Sequence, residues 1–500
     1  MAAVSISGLM ESSGVKFGTS GARGRVADMT DQVCYAYTAA FLQHVSKRHG
    51  LLPGSRVRLA GDRRPSTPRI MRACAAAIVD LGFEPVNCGL IPSPAVADYG
   101  IRHGIPTLMI TGSHIPDDRN GIKFNTAKGE ILKDDEIAIR GETVNLPHGR
   151  FDANGALANP PALPPEETGA LDEYIARYTR FFPADLLAGK RIALYEHSTV
   201  ANRAFERVLT ALGADVLRLG HSDVFIPVDT EAIRPEDIEL AARWAREQRF
   251  HAIVSADGDG DRPLVGDEKG AWLRGDVAGV LCARYLGVEA IVTPVSSNTV
   301  AEKSGFFRAV KRTRIGSPFV IEGMDAALSE GHATVAGYEA NGGFLLASAI
   351  ERNGKRLEAL PTRDAIIVAL GILGLAGERG CAVSELSRAL PPRFTASDRI
   401  KEFPTEQSAR ILARLQEGDE AETRARLESV FGSTFGTVEG IDTTDGLRIT
   451  FRSAEIVHLR PSGNAPEFRC YNEADTPERA TEMNRTCMAM LAEWRERPPL

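Results

Sequence analysis

The feature that most constrains this chain is a pattern that occurs three times: a short β-branched run, a small polar turn, a helical stretch, and a second strand-like run ending near glycine. Residues 56–89 read R-V-R-L-A-G, a turn, an amphipathic stretch over 70–81, then F-E-P-V-N-C-G. Residues 190–220 read R-I-A-L-Y-E-H-S-T, the helical A-F-E-R-V-L-T-A-L, then G-A-D-V-L-R-L-G. Residues 290–316 read A-I-V-T-P-V-S-S-N-T, a short helical stretch, then F-R-A-V-K-R-T-R-I-G. Two neighbouring strands joined through a helix lie parallel, with a right-handed crossover. The chain is therefore expected to be an α/β protein with parallel layers. The three copies read as internal triplication, with the alternative that any α/β chain contains such units.

Breaks between the units are marked by the Pro-, Ala- and Gly-rich stretch 154–169 and by the Pro391–Pro392 pair. Beyond the second break come a helical stretch over 406–430, the alternating G-L-R-I-T-F, the strand-like E-I-V-H-L-R and a final helical stretch over 477–494. That tail reads as a separate α+β domain. With 500 residues, 43% of them apolar, the chain can bury several cores, so a single small binding module is excluded.

Charge excludes another class. Lys plus Arg number 59 against 66 Asp plus Glu, a net −7, and no long basic run is present, so neither DNA nor RNA is an expected partner. An anionic substrate must instead meet local basic residues set against the overall field. The seven cysteines are scattered without a C-x-x-C pair, which fits a reducing, cytoplasmic compartment. Residues 1–14 lack a basic then apolar secretory pattern, and the longest apolar run, 365–377, falls short of the roughly 20 residues that span a bilayer. A soluble protein with no membrane partner is expected.

Four polar constellations carry chemistry. In T-G-S-H-I-P-D-D-R-N-G-I-K-F, residues 111–124, Ser113 follows a buried strand-like run and is expected on an exposed loop. There it is a nucleophile, a phosphate carrier or a plain turn residue, with His114 and Lys123 as groups that move a proton or balance charge. In H-A-I-V-S-A-D-G-D-G-D-R, residues 251–262, Asp257, Asp259 and Asp261 alternate with glycine and can turn three oxygens onto a hard cation such as Mg²⁺. An EF-hand loop is a rival, with Glu268 in its twelfth place, but its sixth place is Arg262 where glycine is needed. A D-x-D-x-T phosphatase motif lacks its threonine, because Asp261 stands there.

The third, G-Y-E-A-N-G-G-F over 337–344, sets Glu339 and Asn341 among glycines, either to grip sugar hydroxyls or as the exposed tip of a hairpin. The fourth, L-R-P-S-G-N-A-P-E-F-R-C-Y over 459–471, offers Arg460, Ser462, Gly463, Asn464 and Arg469 as a cradle for a phosphate dianion, or simply two surface arginines. Near the N-terminus, K-F-G-T-S-G-A-R-G over 16–24 adds Thr19, Ser20 and Arg23, with Arg25 beyond, as a further anion contact or a surface turn.

Taken together and in this order, these segments resemble the α-D-phosphohexomutase family, over nearly the whole chain. The resemblance implies four domains around a central cleft: three related mixed α/β sheet domains and a C-terminal α+β domain of TATA-binding-protein-like form. The implied division is 1–160 with the phosphoserine loop, 161–268 with the metal loop, 269–391 with the sugar-binding loop and 392–500 with the phosphate-binding loop. Ser113 would be the phosphorylated serine, and it would hold Mg²⁺ together with Asp257, Asp259 and Asp261. Arg23, His114, Lys123 and Arg262 would surround the transferring group, with Lys123 or His114 moving the proton. Glu339 and Asn341 would bind sugar; Arg460, Ser462, Gly463, Asn464 and Arg469 would hold the other phosphate.

The implied activity interconverts hexose 6-phosphate and hexose 1-phosphate through a hexose 1,6-bisphosphate, which also serves as activator. V-F-I-P-V-D-T-E-A-I over 224–233 and the Y-E-A-N-G-G loop resemble the bacterial phosphomannomutase branch, implying mannose phosphates that feed GDP-mannose. Phosphoglucomutase or dual specificity is the alternative. The sugar loop departs from the common G-E-x-S-G, and the phosphate loop reads S-G-N-A-P where S-G-T-E-P is usual. A Mg²⁺-dependent sugar phosphatase and a non-catalytic phosphosugar-binding protein remain as readings from other classes. A monomer or homodimer is expected.

Overall fold

The computed structural model describes residues 2–18, 21–462, 466–497 and 499. It divides into two compact units, Met1–Glu289 with Gly316–Ser387, and Ala290–Ile315 with Arg388–Leu500.

The first unit is built on mixed sheets. One has the strand order Lys16–Phe17, Gly21–Arg25, Arg119–Thr126, Thr107–Ile110, Arg56–Gly61, Glu84–Leu90, and Gly129–Glu130 pairs with Arg119–Thr126 off that path. Arg56–Gly61 runs parallel to both Glu84–Leu90 and Thr107–Ile110, whereas Arg119–Thr126 is antiparallel to its neighbours. Thr107–Ile110 is buried throughout because it lies inside the sheet, which is why T-L-M-I carries no polar alternation. Helices Asp31–His49 and Thr67–Asp80 supply the apolar layer against it. Thr30 caps the first of these, its hydroxyl accepting the N–H of Val33, and Gly50 ends it in the left-handed conformation.

A second sheet orders Asp215–His221, Arg191–His197, Ala252–Ala256 and Pro263–Gly266, the first three parallel and the last antiparallel. The hairpin Val335–Tyr338 and Phe344–Leu346 completes the frame of the site. The apolar run recognised in the sequence forms helix Ala365–Arg379, buried along almost its whole length and capped by the Asp364 carboxylate. No helix among the described residues is long and apolar enough to cross a membrane.

The second unit contains the parallel pair Ala290–Pro294 and Ala309–Thr313. Its larger part is an antiparallel sheet in the order Phe394–Lys401, Glu467–Ala474, Ile456–Pro461, Leu447–Phe451, Val438–Asp442. Helix Pro477–Glu496 packs on that sheet through Met483, Cys487, Leu491 and Trp494. All three repeated segments thus contain parallel strand pairs, as the crossover pattern requires. The stretch 406–430 differs from the single helix expected. It is two helices, Thr405–Leu415 and Glu420–Phe435, because Gly418 turns at φ 91° and Asp419 and Glu422 form a reciprocal capping box.

Candidate active site

Ser113 stands just past the end of strand Thr107–Ile110, at φ 55°, a left-handed conformation that costs a non-glycine residue energy and must be held by its surroundings. The sequence placed this serine on an exposed loop. It is in fact 2% exposed, because the loop folds beneath a clamp the sequence reading missed. Arg64, fully buried, donates to the carbonyl oxygens of Ser113 at 2.8 Å, Ile115 at 2.5 Å, Pro116 at 2.7 Å and Arg119 at 2.9 Å. Its partner Asp62 accepts from Arg64 Nε at 3.0 Å and from the Thr111 hydroxyl at 2.7 Å. Thr111 Oγ1 in turn accepts the N–H of Ser113 at 2.7 Å. One guanidinium therefore satisfies four turn carbonyls and fixes the serine's direction. The available signal was the charged D-R-R triplet immediately after a buried strand.

The acidic loop meets this serine. Strand Ala252–Ala256 ends in Asp257, whose Oδ2 accepts from Ser113 Oγ at 2.5 Å, and whose Oδ1 accepts the N–H groups of Asp261 and Arg262 at 3.2 and 3.1 Å. Gly258 permits the approach, since a Cβ there would lie 2.8 Å from the Ser113 carbonyl oxygen, and Gly260 turns at φ 72°. The EF-hand reading is set aside: Glu268 instead accepts from the Ser384 hydroxyl at 2.6 Å.

Asp257, Asp259 and Asp261 are buried, with one oxygen of each within 4.8 Å of the others. Burial first, then the two neighbouring carboxylates, push the Asp257 carboxyl well above its ordinary range. Burial alone would raise Asp261 too, but Lys123, Arg363 and Arg262 outweigh it and hold that carboxyl at about 2. The second oxygens of Asp259 and Asp261 are buried without a hydrogen-bond partner. Three converging carboxylates with orphaned oxygens beside a serine hydroxyl suit a hard, oxygen-seeking divalent cation.

Basic groups close the pocket, which is lined by Gly18, Gly21, Arg23, Ser113, Lys123, Arg262 and Arg363 among others. Lys123, on strand Arg119–Thr126, donates to Asp259 Oδ2 and Asp261 Oδ2, both at 2.6 Å, and these carboxylates keep its ammonium charged despite burial. Arg23 is lowered to about 10 by burial and by the like charges of Arg262, Arg64 and Arg363. His114 Nδ1 lies 3.2 Å from Ser113 Oγ, and burial together with Arg262 presses its imidazole down to about 3. Arg25 does not join them; it is exposed and pairs with Asp28.

The sugar-loop residues are brought in unequally. Glu339 is 4% exposed, and its Oε2 accepts from Arg363 Nε at 2.5 Å, so the hairpin tip is buried instead of exposed. Arg363 was also missed by the sequence reading; its signal was an arginine directly before the capping aspartate of a wholly apolar helix. Asn341 is engaged in the turn, its side-chain oxygen accepting from Gly343 N at 2.9 Å and its carbonyl from the Thr230 hydroxyl at 2.6 Å. In the second unit, Arg460 donates to Asp445 at 2.8 Å, Arg469 donates to Glu467 at 3.1 Å, and Ser462 is buried. Thr19, Ser20, Gly463 and Asn464 lie outside the described residues.

Comparison with known proteins gives concordant matches. Residues 14–145 match phosphoglucomutase/phosphomannomutase α/β/α domain I, residues 274–394 match domain III, and residues 404–488 match the C-terminal domain. The phosphomannomutase of Salmonella muenchen is 42% identical over 97% of this chain and 97% of its own. A phosphoglucomutase/phosphomannomutase family protein from Burkholderia thailandensis superposes with a TM-score of 0.70 at 18% identity, covering 96% of this chain and 98% of that one. Aspergillus fumigatus N-acetylphosphoglucosamine mutase, in complex with GlcNAc-6P and magnesium, gives a TM-score of 0.58 at 13% identity over 97% and 98% of the two chains.

Proposed function

Since the chain belongs to the phosphoglucomutase/phosphomannomutase family, we propose that it interconverts mannose 6-phosphate and mannose 1-phosphate, with Ser113 as the phosphoryl carrier. The observation that carries this reading is the meeting of Ser113 Oγ, 2.5 Å from Asp257, with a pocket lined by Arg23, Lys123, Arg262 and Arg363. The preference for mannose is supported by the 42% identity to a phosphomannomutase along 97% of the chain.

Phosphoryl transfer needs positioning and charge neutralisation more than covalent assistance. The phosphoryl group of phosphorylated Ser113 passes to the free hydroxyl of a hexose monophosphate: its bond to Oγ breaks as the bond to the sugar oxygen forms, and the proton of the sugar hydroxyl passes, by way of a neighbouring base, to the freed Ser113 Oγ. The resulting hexose 1,6-bisphosphate turns round and returns its other phosphate to Oγ, so a hexose bisphosphate also primes the resting enzyme. Arg23, Arg262 and Lys123 hold the group in transit, and His114, in contact with Oγ, is placed to exchange the proton there. Asp257, Asp259, Asp261 and the serine oxygen would hold Mg²⁺, which supplies further neutralisation of developing charge when bound. Glu339 and Asn341 are assigned to the sugar. Arg460, Ser462, Gly463, Asn464 and Arg469 are assigned to the phosphate not being transferred.

The proposed domain boundaries are those of the sequence reading, 1–160, 161–268, 269–391 and 392–500, a division supported by the separate family matches. A cytoplasmic setting is supported by seven free cysteines. The deciding experiment is an isomerisation assay on mannose, glucose and glucosamine 1-phosphates with Mg²⁺ and a trace of glucose 1,6-bisphosphate. Mannose 1-phosphate is expected to give the highest kcat/KM. Steady release of inorganic phosphate without isomer would replace the mutase by a phosphatase, and equal turnover of glucose 1-phosphate would remove the preference.

A further inference from the structure

Three cations of the pocket are accounted for by the family resemblance; the fourth, Arg363, is not. Its side chain is almost wholly buried, yet it lines the same pocket as Ser113, Arg23, Lys123 and Arg262. Only Nε has a hydrogen-bond partner, Glu339 Oε2, and neither terminal nitrogen has one among the described residues. An arginine so placed presents a two-pronged donor to whatever enters, the arrangement that matches phosphate oxygens.

The surrounding chain is arranged to deliver this fork. Gly343 leaves room for its stem, since a Cβ at that position would lie 2.6 Å from Arg363 Cδ. The next residue is pinned: Asp364 N donates to the Phe344 carbonyl at 3.0 Å. The Asp364 carboxylate accepts from Tyr174 at 2.7 Å, from Tyr178, and from the N–H of Ile366 at 3.1 Å. Glu339 then fixes the guanidinium plane from the hairpin side. A donor held on both sides before substrate arrives loses little freedom on binding, which is what electrostatic preorganisation demands.

Resting on the mutase reading above, we propose that Arg363 is a catalytic residue whose two terminal nitrogens bind the phosphoryl group as it passes between Ser113 and the sugar, and that Glu339 is its positioning partner. Arg363 stays protonated throughout and forms hydrogen bonds only. The competing account is a brace that joins the hairpin to the segment before helix Ala365–Arg379 and never touches substrate.

The test uses the full chain carrying phosphate on Ser113, mixed with mannose 1-phosphate in a single turnover, alongside thermal melting. Arg363→Gln is expected to slow phosphoryl transfer about 100-fold, the loss typical of one transition-state donor. Arg363→Lys, which keeps charge but not the fork, should fall in between. Glu339→Gln, which leaves the fork in place, should lose less than Arg363→Gln. Inorganic phosphate, as a competitive inhibitor, should bind Arg363→Gln about tenfold more weakly. Should Arg363→Gln fold poorly, Arg363→Ala with added guanidinium ion is expected to regain transfer. Variants that melt lower but transfer phosphate at the unaltered rate would overturn the proposal in favour of the brace. Failure of the unaltered chain to isomerise would instead sink the mutase reading itself.

Discussion

Around Ser113 basic and acidic side chains crowd together, with Lys123 against Asp259 and Asp261 and Arg363 against Glu339. Arg23 lies among the like charges of Arg262, Arg64 and Arg363, and among the described residues Arg363 uses only one of its three nitrogens. On the strands Ile456–Pro461 and Glu467–Ala474 of the second unit, Arg460 is engaged by Asp445 and Arg469 by Glu467. In the first set Arg363 is 5% exposed and spends only Nε on a carboxylate among the described residues, whereas in the second Arg460 and Arg469 are 18% and 34% exposed and each donates to a carboxylate. The difference teaches how each can serve a phosphate. A buried guanidinium with its terminal nitrogens still unspent stands ready and favours the charge that develops during transfer. Paired, more solvated arginines must exchange a carboxylate for the ligand, so they contribute affinity at lower strength and with less discrimination between ground and transition states.

That contrast is easiest to break at its centre. Ser113→Ala removes the atom on which the pocket converges, and isomerisation measured with mannose 1-phosphate and bisphosphate activator should fall by on the order of 10⁴-fold or more. A rate within tenfold of the unaltered chain would show that the cations serve something other than a carrier serine.

Next in size is an acid effect that the two units should share, because each holds a buried imidazole whose Nε2 faces a backbone carbonyl. His197 and His458 are both pressed down to about 4, by burial first. Each has Nε2 directed at a backbone carbonyl oxygen, of Ala256 at 2.8 Å and Asp445 at 2.6 Å, and an Nδ1 buried without a partner. The folded chain thus keeps them neutral, whereas the unfolded chain protonates them near pH 6.5. Between pH 6.5 and pH 4 the unfolded state binds more protons, so their contribution is full above that window and lost as pH falls through it. Denaturant unfolding at pH 7 and pH 5 should show a loss of about 2 kcal/mol for each histidine. His458→Gln should remove the share of the second unit and leave that of the first.

The smallest effect sharpens the contrast from the other side. Arg460→Ala should raise KM for mannose 1-phosphate about tenfold while leaving kcat within a few-fold, the mark of binding that is uniform between ground and transition states. An equal fall in kcat would place Arg460 with the pocket cations and erase the distinction drawn between the two loops.

Much of this arrangement was legible in the chain itself. The repeated strand–turn–helix–strand pattern gave the parallel pairs because burial on both faces and crossover geometry leave few alternatives. The D-G-D-G-D run was readable because carboxylates spaced by glycine have few structural uses. The single helix expected over 406–430 was not what formed: residues 416–419 read Q-E-G-D with no apolar position, and the capping box of Asp419 and Glu422 starts a second helix there. Burial of the serine loop was hidden as well. Nothing near Ser113 in the sequence announces that Arg64, forty-nine positions away, would satisfy the turn carbonyls. Polar loop residues look solvated until a distant donor replaces the water.

By itself the sequence determined the local things: where strands and helices run, which serine follows a buried strand, and which three carboxylates share a turn. Each depends on spacing along a few residues of backbone. Only the tertiary structure decided that Asp257 reaches Ser113 across 144 positions, that Arg64 holds the serine's backbone, and that Glu339 aims Arg363 into the pocket. Those pairings depend on how sheets and loops pack, and close packing sets side-chain distances that no local pattern encodes.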